Sequence, residues 1–369
     1  MTTVLCTLGT RPEVIKLAPV VKALRARPSF RVRVLFTGQH RALLDQMATF
    51  FGIAADADLR VMQPGQTLPE LTARLVTGLD AVLAEEKPDV VLGQGDTTTV
   101  LCTGLACYYR KIPFGHVEAG LRTPTIFSPF PEEGNRRLVS VVTAHHFAPT
   151  EEARQNLLRE GIPAADVHMT GNTVVDALLS IAALDLPLPV TLDPTQRLIL
   201  VTLHRRESFG APIRAVLGAI RRILDLRRDV CVVYPVHPNP MVEGPAHELL
   251  GDHPRVRLVK PVEYGEMVAL MKRATLLLTD SGGVQEEAPS LGVPLLVTRE
   301  TTERPEGVRA GVARLVGTDS DTIVAETLRL LDDSTAREAM RTAHNPYGDG
   351  KASERIADVL ERAYHRPTT

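Results

Sequence analysis

No apolar run in this 369-residue chain approaches the ~20 residues that a membrane span needs. The opening stretch MTTVLCTLG has no basic segment and only about five apolar residues before Gly9, too few for the core of a signal peptide. Nor is one sign of charge in surplus: 42 basic residues against 44 acidic ones leave a net charge of -2, which removes nucleic acid and anionic membranes as default partners. Any attraction for anions must be local. The four cysteines, Cys6, Cys102, Cys107 and Cys231, show no C-x-x-C spacing and lie mostly in apolar runs. They are expected as reduced core residues of a cytoplasmic protein. What is left, 44% hydrophobic and 23% charged residues, is the mixture of a soluble globular chain with room for one large or two ordinary domains.

Common site signatures are missing too. Gly93 and Gly95 form a G-x-G, but Thr98 stands where a dinucleotide fingerprint needs its third glycine, and the turn after Gly9 has no second one. There is no G-x-x-x-x-G-K-[ST] to hold a nucleoside triphosphate and no H-E-x-x-H. His145 and His146 are adjacent, so on a strand they face opposite ways and make a poor pair of metal ligands. No cofactor and no metal are expected. Repeats and low-complexity tracts are absent as well.

What is present is an alternation. Short apolar runs, VLCTL, VRVLFT, DVVLGQG, PFGHVE and HHFAPT, are each followed by a segment of helical period, the βαβ pattern of a parallel sheet. The pattern restarts after TGNTVVDALLSIAAL, with strands expected at RLILVTLH, VCVVYPV, VRLVK, TLLLTDS and VPLLVT. Between the two series, the segment 184–194 carries three prolines and reads as a linker. The fold class is therefore α/β with two doubly wound halves, whose loops at the carboxyl ends of the strands are where such sheets bind ligands. We expect an N-terminal domain over 1–172 and a C-terminal one over 173–353. A last helix at about 354–369, with Ile356, Val359, Leu360 and Tyr364 at helical spacing, can pack back on the first domain.

Unusual polar residues cluster where strands run out. In GTRPEVIK, Arg11 and Lys16 flank the first turn of a helix that Pro12 can start; they fit a solvated helix face, or an arginine placed for a bidentate contact with phosphate. Asp96 in QGDTTT fits a helix N-cap or a site carboxylate. HVEAGLRT sets Glu118 and Arg122 in one short segment, either as an internal ion pair or with Glu118 as an acid/base group. In SPFPEEGNRRL, first-turn glutamates suit the helix dipole and Asn135, Arg136 and Arg137 could all be exposed, yet Pro129 and Pro131 stiffen an approach that holds Glu132. His204 follows a strand with Arg205, Arg206 and Glu207 beside it. TDSGGVQEE fits a plain strand-to-helix turn capped by Ser281, or a cradle in which Gly282 and Gly283 admit a diphosphate to the helix N-terminus. In the second case one of Glu286 and Glu287 must point elsewhere, for instance to ribose hydroxyls.

Together these stretches resemble the non-hydrolysing UDP-N-acetylglucosamine 2-epimerases. The matching motifs are GTRPEVIKLAPV, GQH, QGDTTT, HVEAGLRT, PFPEEGNRRL, FAPT, GNTVVDAL, HRRES, HPNP, DSGGVQEEAPSLGVP, ERPEG and NPYGDGKAS, in family order from residue 9 to 353. The resemblance implies two Rossmann-like domains with a deep interdomain cleft, the glycosyltransferase-B architecture, commonly as a homodimer without a nicotinamide cofactor. It implies inversion at C2 of the sugar to give UDP-N-acetylmannosamine, by anti elimination of UDP to 2-acetamidoglucal and re-addition. By motif, Asp96, Glu118 and Glu132 would be the acid/base carboxylates, with Lys16 and His204 assisting catalysis or the leaving diphosphate. Arg11, Arg136, Ser281, Gly282, Gly283, Glu287 and Arg304 would bind nucleotide or sugar. UDP-N-acetylglucosamine and UDP are the implied small-molecule partners.

Two positions depart from the family pattern. Many bacterial members have Arg-Gln before Thr-Leu in a loop that binds a second, activating substrate molecule, whereas this chain reads PGQTL, with Gly65 before Gln66. Met267 replaces a phenylalanine common after Tyr264 near the uracil pocket. Rival readings are an epimerase of a related UDP-2-acetamido sugar, a UDP-sugar glycosyltransferase of the same architecture, and a nucleotide-sugar-binding protein without turnover.

Overall fold

The computed structural model describes residues 1–38 and 41–364. Gln39 and His40 of the GQH motif, and positions 365–369 of the expected last helix, lie outside the described residues. The chain forms two compact units, Met1–Ala177 with the segment from Tyr347 onward, and Leu178–Pro346. Each is built on one all-parallel sheet.

The sheet of the first unit holds seven strands: β1 (Thr2–Leu8), β2 (Phe30–Phe36), β3 (Ala57–Asp58), β4 (Val90–Gln94), β5 (Phe114–Val117), β6 (His145–Ala148) and β7 (Val167–Met169). Their spatial order is β3-β2-β1-β4-β5-β6-β7, with every pairing parallel. The second unit repeats the plan with β8 (Arg197–Thr202), β9 (Val230–Pro235), β10 (Val256–Val259), β11 (Leu276–Thr279), β12 (Leu295–Val297) and β13 (Ala313–Leu315), in the order β10-β9-β8-β11-β12-β13. These are two Rossmann-like halves. The continuous apolar runs noted in the sequence follow from burial on both sheet faces: β4 and the last five residues of β1 are buried throughout.

Helices cover the sheets through stripes of four-residue spacing. Leu71, Leu75, Leu79 and Leu83 line one side of the helix Leu68–Glu86 and are all buried, each contributing about 1.5–3 kcal/mol by removal from water. In the second unit Ile213, Val216, Leu217, Ile220 and Ile223 do the same on the helix Ala211–Leu226. The four cysteines are buried and unbridged. The last helix, Ala352–Tyr364, belongs to the first unit: Asp176 accepts from the amides of Ser353 (2.7 Å) and Ala352 (3.2 Å) at its start, and Arg27 donates to Asp358 (2.6 Å) and Glu361 (2.9 Å) along it.

Each sheet has one point where strand order reverses, between β1 and β4 in the first unit and between β8 and β11 in the second. The connections that follow the two parallel strands leave such a point in opposite directions, so the carboxyl-end turns open a crevice that the connecting helices do not fill. The turns there are Gly9–Thr10 and Gly95–Asp96 in the first unit, and His204–Arg205 and Asp280–Ser281 in the second.

Candidate active site

In the first unit the turn after β1 is built around a carboxylate. Glu13, in the first turn of the helix Arg11–Arg25, is buried; its Oε2 accepts from the amides of Gly9 and of Thr10 (2.9 Å), and its Oε1 accepts from the Thr97 hydroxyl. A Cβ at Gly9 would overlap the Thr37 and Thr99 hydroxyls, so only glycine lets the strand end approach so closely. Because Thr97 follows Asp96, Glu13 ties the turns after β1 and β4 together across the switch point. Burial pushes its carboxyl up to about 7, against the hydrogen bonds that favour the anion, with the charge of Asp96 adding to the rise.

The helix that starts at this turn carries Arg11 at its first position and Lys16 in its second turn. Lys16 donates through Nζ to Oε1 of Glu118, and Gln94, the last residue of β4, donates through Nε2 to Oε2. Glu118 sits one residue past β5 with φ of 68°, a left-handed backbone that costs a non-glycine residue roughly 1–3 kcal/mol. The ladder on either side holds it there: Gly95 donates to the Val117 carbonyl (3.0 Å) and Ala119 to that of Phe147 (3.0 Å). Beneath the turn, fully buried His116 bonds the Gly95 carbonyl through Nε2 (2.6 Å), and burial lowers its pKa to about 4.

Asp96 does not cap the helix Thr98–Arg110; Thr97 does, accepting from the Val100 amide. Asp96 bonds Arg136 through Oδ2, and its carbonyl accepts from Nδ2 of Asn135 (2.8 Å). The surface-helix reading of PFPEEGNRRL therefore fails at two positions, since Asn135 and Arg136 are buried and only Arg137 is exposed. The reason is Glu133. Fully buried, it receives Nε (2.9 Å) and Nη2 (2.7 Å) of Arg136, Nε of Arg137 (2.7 Å) and the Thr123 amide (3.2 Å). With Glu133 committed to those cations, its neighbour Glu132 has a buried Oε2 without a hydrogen-bond partner.

In the second unit His204 and Arg205 follow β8. Fully buried Asp280, one residue past β11, accepts from the amides of His204 (2.9 Å) and Arg205 (2.9 Å), and its Oδ1 lies 3.3 Å from Nδ1 of His204. The ring thus faces the Asp280 carboxylate through Nδ1. Burial lowers the His204 pKa, with Asp280 opposing, and the ring stacks 6.2 Å from that of His237.

Ser281 is the N-cap residue of the short helix Gly282–Glu287, but its hydroxyl makes no capping bond. Gly283 has open space where a Cβ would be, and a Cβ at Gly282 would lie 3.2 Å from Nη2 of Arg205. The Arg205 guanidinium stands over the turn with a buried Nε that has no partner. Sequence reading passed over Arg205 as one of several charges beside His204; its place over Gly282 depends on contacts about 77 residues apart in the chain. Both glutamates have side-chain partners. Glu286 pairs with Nε of Arg304, and Glu287 accepts from the Tyr264 hydroxyl (2.9 Å). Arg304 and Glu287, read from sequence as binding residues, are each engaged in one of these contacts. Among the described residues no cluster of three or more His, Cys, Asp or Glu side chains could hold a metal.

A family model described as UDP-N-acetylglucosamine 2-epimerase matches residues 22–361. The chain belongs to this family. It is similar to the UDP-N-acetylglucosamine 2-epimerase of Escherichia coli K12, 52% identical over 97% of this chain and 98% of that one. It is also similar to the crystal structure of UDP-GlcNAc 2-epimerase from Neisseria meningitidis bound to UDP-GlcNAc, at 43% identity and TM-score 0.86, covering 98% of this chain and 100% of that one. The glycotransferase of kitacinnamycin, 15% identical with TM-score 0.65 over 98% of both chains, shares the fold alone. The two Rossmann-like halves are those of the glycosyltransferase-B architecture.

Proposed function

We propose that the protein inverts C2 of UDP-N-acetylglucosamine reversibly, giving UDP-N-acetylmannosamine without net hydrolysis. The observation that carries this reading is Glu118, a buried carboxylate on left-handed backbone that receives Lys16 and Gln94 beside the Asp96 turn. A nucleotide-sugar-binding protein has no need of such a group. The bound sugar in the Neisseria relative supports the substrate class.

C2–H has no adjacent carbonyl to acidify it, so direct deprotonation is unfavourable. Anti elimination avoids the problem: a carboxylate takes the C2 proton, the C–H electrons form the C1=C2 bond, and the C1–O bond breaks with its pair going to UDP. Re-addition returns a proton to the opposite face. Asp96, Glu118 and Glu132 handle these protons, Lys16 pairs with Glu118, and His204 assists the diphosphate. Arg11 and Arg136 on the first unit, and Ser281, Gly282, Gly283, Glu287 and Arg304 on the second, bind nucleotide or sugar. The backbone amides at Gly282 and Gly283, with the Arg205 guanidinium, suit the negative charge that grows on UDP as it leaves.

We place the protein in the cytosol, where nucleotide sugars are used; no helix among the described residues is long and apolar enough to cross a membrane. We further propose a homodimer, because Tyr108, Leu138 and Val141 leave apolar surface exposed on two helices of the first unit that pack together. The deciding experiment is incubation with UDP-N-acetylglucosamine in deuterated water, following C2 by proton NMR. Deuterium entering C2 as UDP-N-acetylmannosamine forms supports the reading, and C2–H that stays intact refutes it.

A further inference from the structure

We propose that Gln94 is a positioning residue for Glu118: its side-chain amide sets the orientation of the carboxylate that exchanges the C2 proton, without itself touching the sugar. The inference rests on the acid/base role proposed for Glu118. Gln94 is buried at 3% exposure and ends β4, where it stands in register with Val117 on β5. Glu118 is the next residue after that partner, so the Gln94 side chain spans the gap between two strand ends that the ladder already fixes.

The chemistry of the pair is specific. A carboxylate can swing about its terminal torsion, which has a broad, roughly two-fold profile, so one donor on one oxygen does not fix its plane. Lys16 engages Oε1, but an ammonium is a compact charge on a flexible stem and imposes little direction. Gln94 engages Oε2 from a planar amide on a strand, and the two donors together define the plane. An amide also cannot take the proton that Glu118 gains. The site needs a carboxylate that is oriented yet still able to change its protonation state, and a glutamine partner provides that where a second cation or a carboxylic acid would not. Gly95, next to Gln94, has φ of 82°, a left-handed backbone that glycine adopts without strain.

The test compares Gln94→Met, close in shape but without a donor, and Gln94→Asn, which withdraws the amide by one methylene, with the wild type. Turnover of UDP-N-acetylglucosamine, UDP affinity by calorimetry and melting temperature are measured on the full chain. A displacement of about 1 Å in a reacting group can cost on the order of 10²-fold, so kcat is expected to fall at least ~10-fold in both variants with UDP affinity held within about threefold. Folded variants with wild-type kcat overturn the proposal. So does a loss in which kcat, UDP affinity and melting temperature fall together, because that marks a merely structural glutamine. If Gln94→Met does not fold, Gln94→Asn decides alone by the same outcomes. A wild-type protein that binds UDP but leaves C2 untouched refutes the proposed function itself, and the role of Gln94 with it.

Discussion

Arg122 grips Glu160 with both prongs of its guanidinium, Nε to Oε1 at 2.7 Å and Nη2 to Oε2 at 2.6 Å, and donates a third bond to the Ser140 hydroxyl at 3.0 Å. It is therefore not the counter-ion that its place in HVEAGLRT suggests. Glu118, four positions earlier, receives Lys16 from the turn after β1 instead. The segment holds two charges with two separate tasks: Arg122 fastens the loop, and Glu118 is held by Lys16 and Gln94 at the strand ends.

Glu118→Gln retains the shape and removes the base. Loss of one general acid/base group typically costs ~10²–10⁴-fold, so kcat is expected to drop by that range while UDP affinity, measured by calorimetry, is largely kept. Wild-type-like turnover in the variant refutes the assignment of Glu118.

The motifs were legible because their residue types at strand ends have few structural uses, and strand ends could be read from apolar runs such as VLCTL and LILVTL. The edge strands β3, β7 and β13 were not, since two or three residues carry no period to detect. Partners were hidden as well. Nothing local distinguishes Glu133, which anchors two arginines, from Glu132, which has a buried oxygen left over. Each unit also spans its switch point with one buried carboxylate, Glu13 bonding Thr97 in the first and Asp280 bonding His204 in the second. GTRPE and TDSGG share no pattern that announces this, because in one case the acid comes from the first strand's turn and in the other from the fourth's.

Glu13 makes a measurable contribution to pH dependence. Its folded pKa of about 7 exceeds the ordinary value of 4.5, so between those values the folded state binds the proton more tightly and Glu13 favours folding increasingly as pH falls. His116 and His146, lowered by burial to about 4 and about 3 from 6.5, act in the opposite sense, since acid protonates them first in the unfolded chain. In Glu13→Gln only the first effect disappears. Urea unfolding across pH 4.5–7 should then show the variant losing stability on acidification more steeply than wild type, by on the order of 3 kcal/mol over the window. A slope equal to that of wild type contradicts the raised pKa.

Arg205 supplies the test of the diphosphate cradle. Its Nη2 lies over Gly282 and 4.0 Å from Oε2 of Glu303, while its buried Nε has no hydrogen-bond partner, so an anion at the Ser281 turn would compete with Glu303 for this guanidinium. A charge-assisted hydrogen bond is worth about 1.5–3 kcal/mol, so Arg205→Met should weaken UDP binding by roughly 10–100-fold in calorimetry. Uridine, which has no phosphate, should bind both proteins alike. An equal loss for uridine places the arginine elsewhere.

The PGQTL loop supplies a prediction about how rate responds to substrate. The resemblance ties this loop to a second, activating UDP-N-acetylglucosamine, which needs side chains able to reach a sugar nucleotide. Here Gly65 offers none, and Gln66 is occupied locally: its Oε1 accepts from Nη1 of Arg74 and from the Gln63 amide (3.1 Å). Thr67 and Glu70 are joined in turn at the start of the helix Leu68–Glu86, with the Thr67 amide donating to Glu70 at 2.7 Å. Recruiting Gln66 to a ligand would cost its bonds to Arg74 and Gln63 with no neighbouring arginine at position 65 to repay them. Initial rates against UDP-N-acetylglucosamine should therefore be hyperbolic, with a Hill coefficient of about 1. A sigmoidal curve would show that activation survives and that the second sugar nucleotide is held by other residues; Gly65→Arg should leave such a curve unchanged, whereas in a hyperbolic enzyme it is the substitution with which to seek activation.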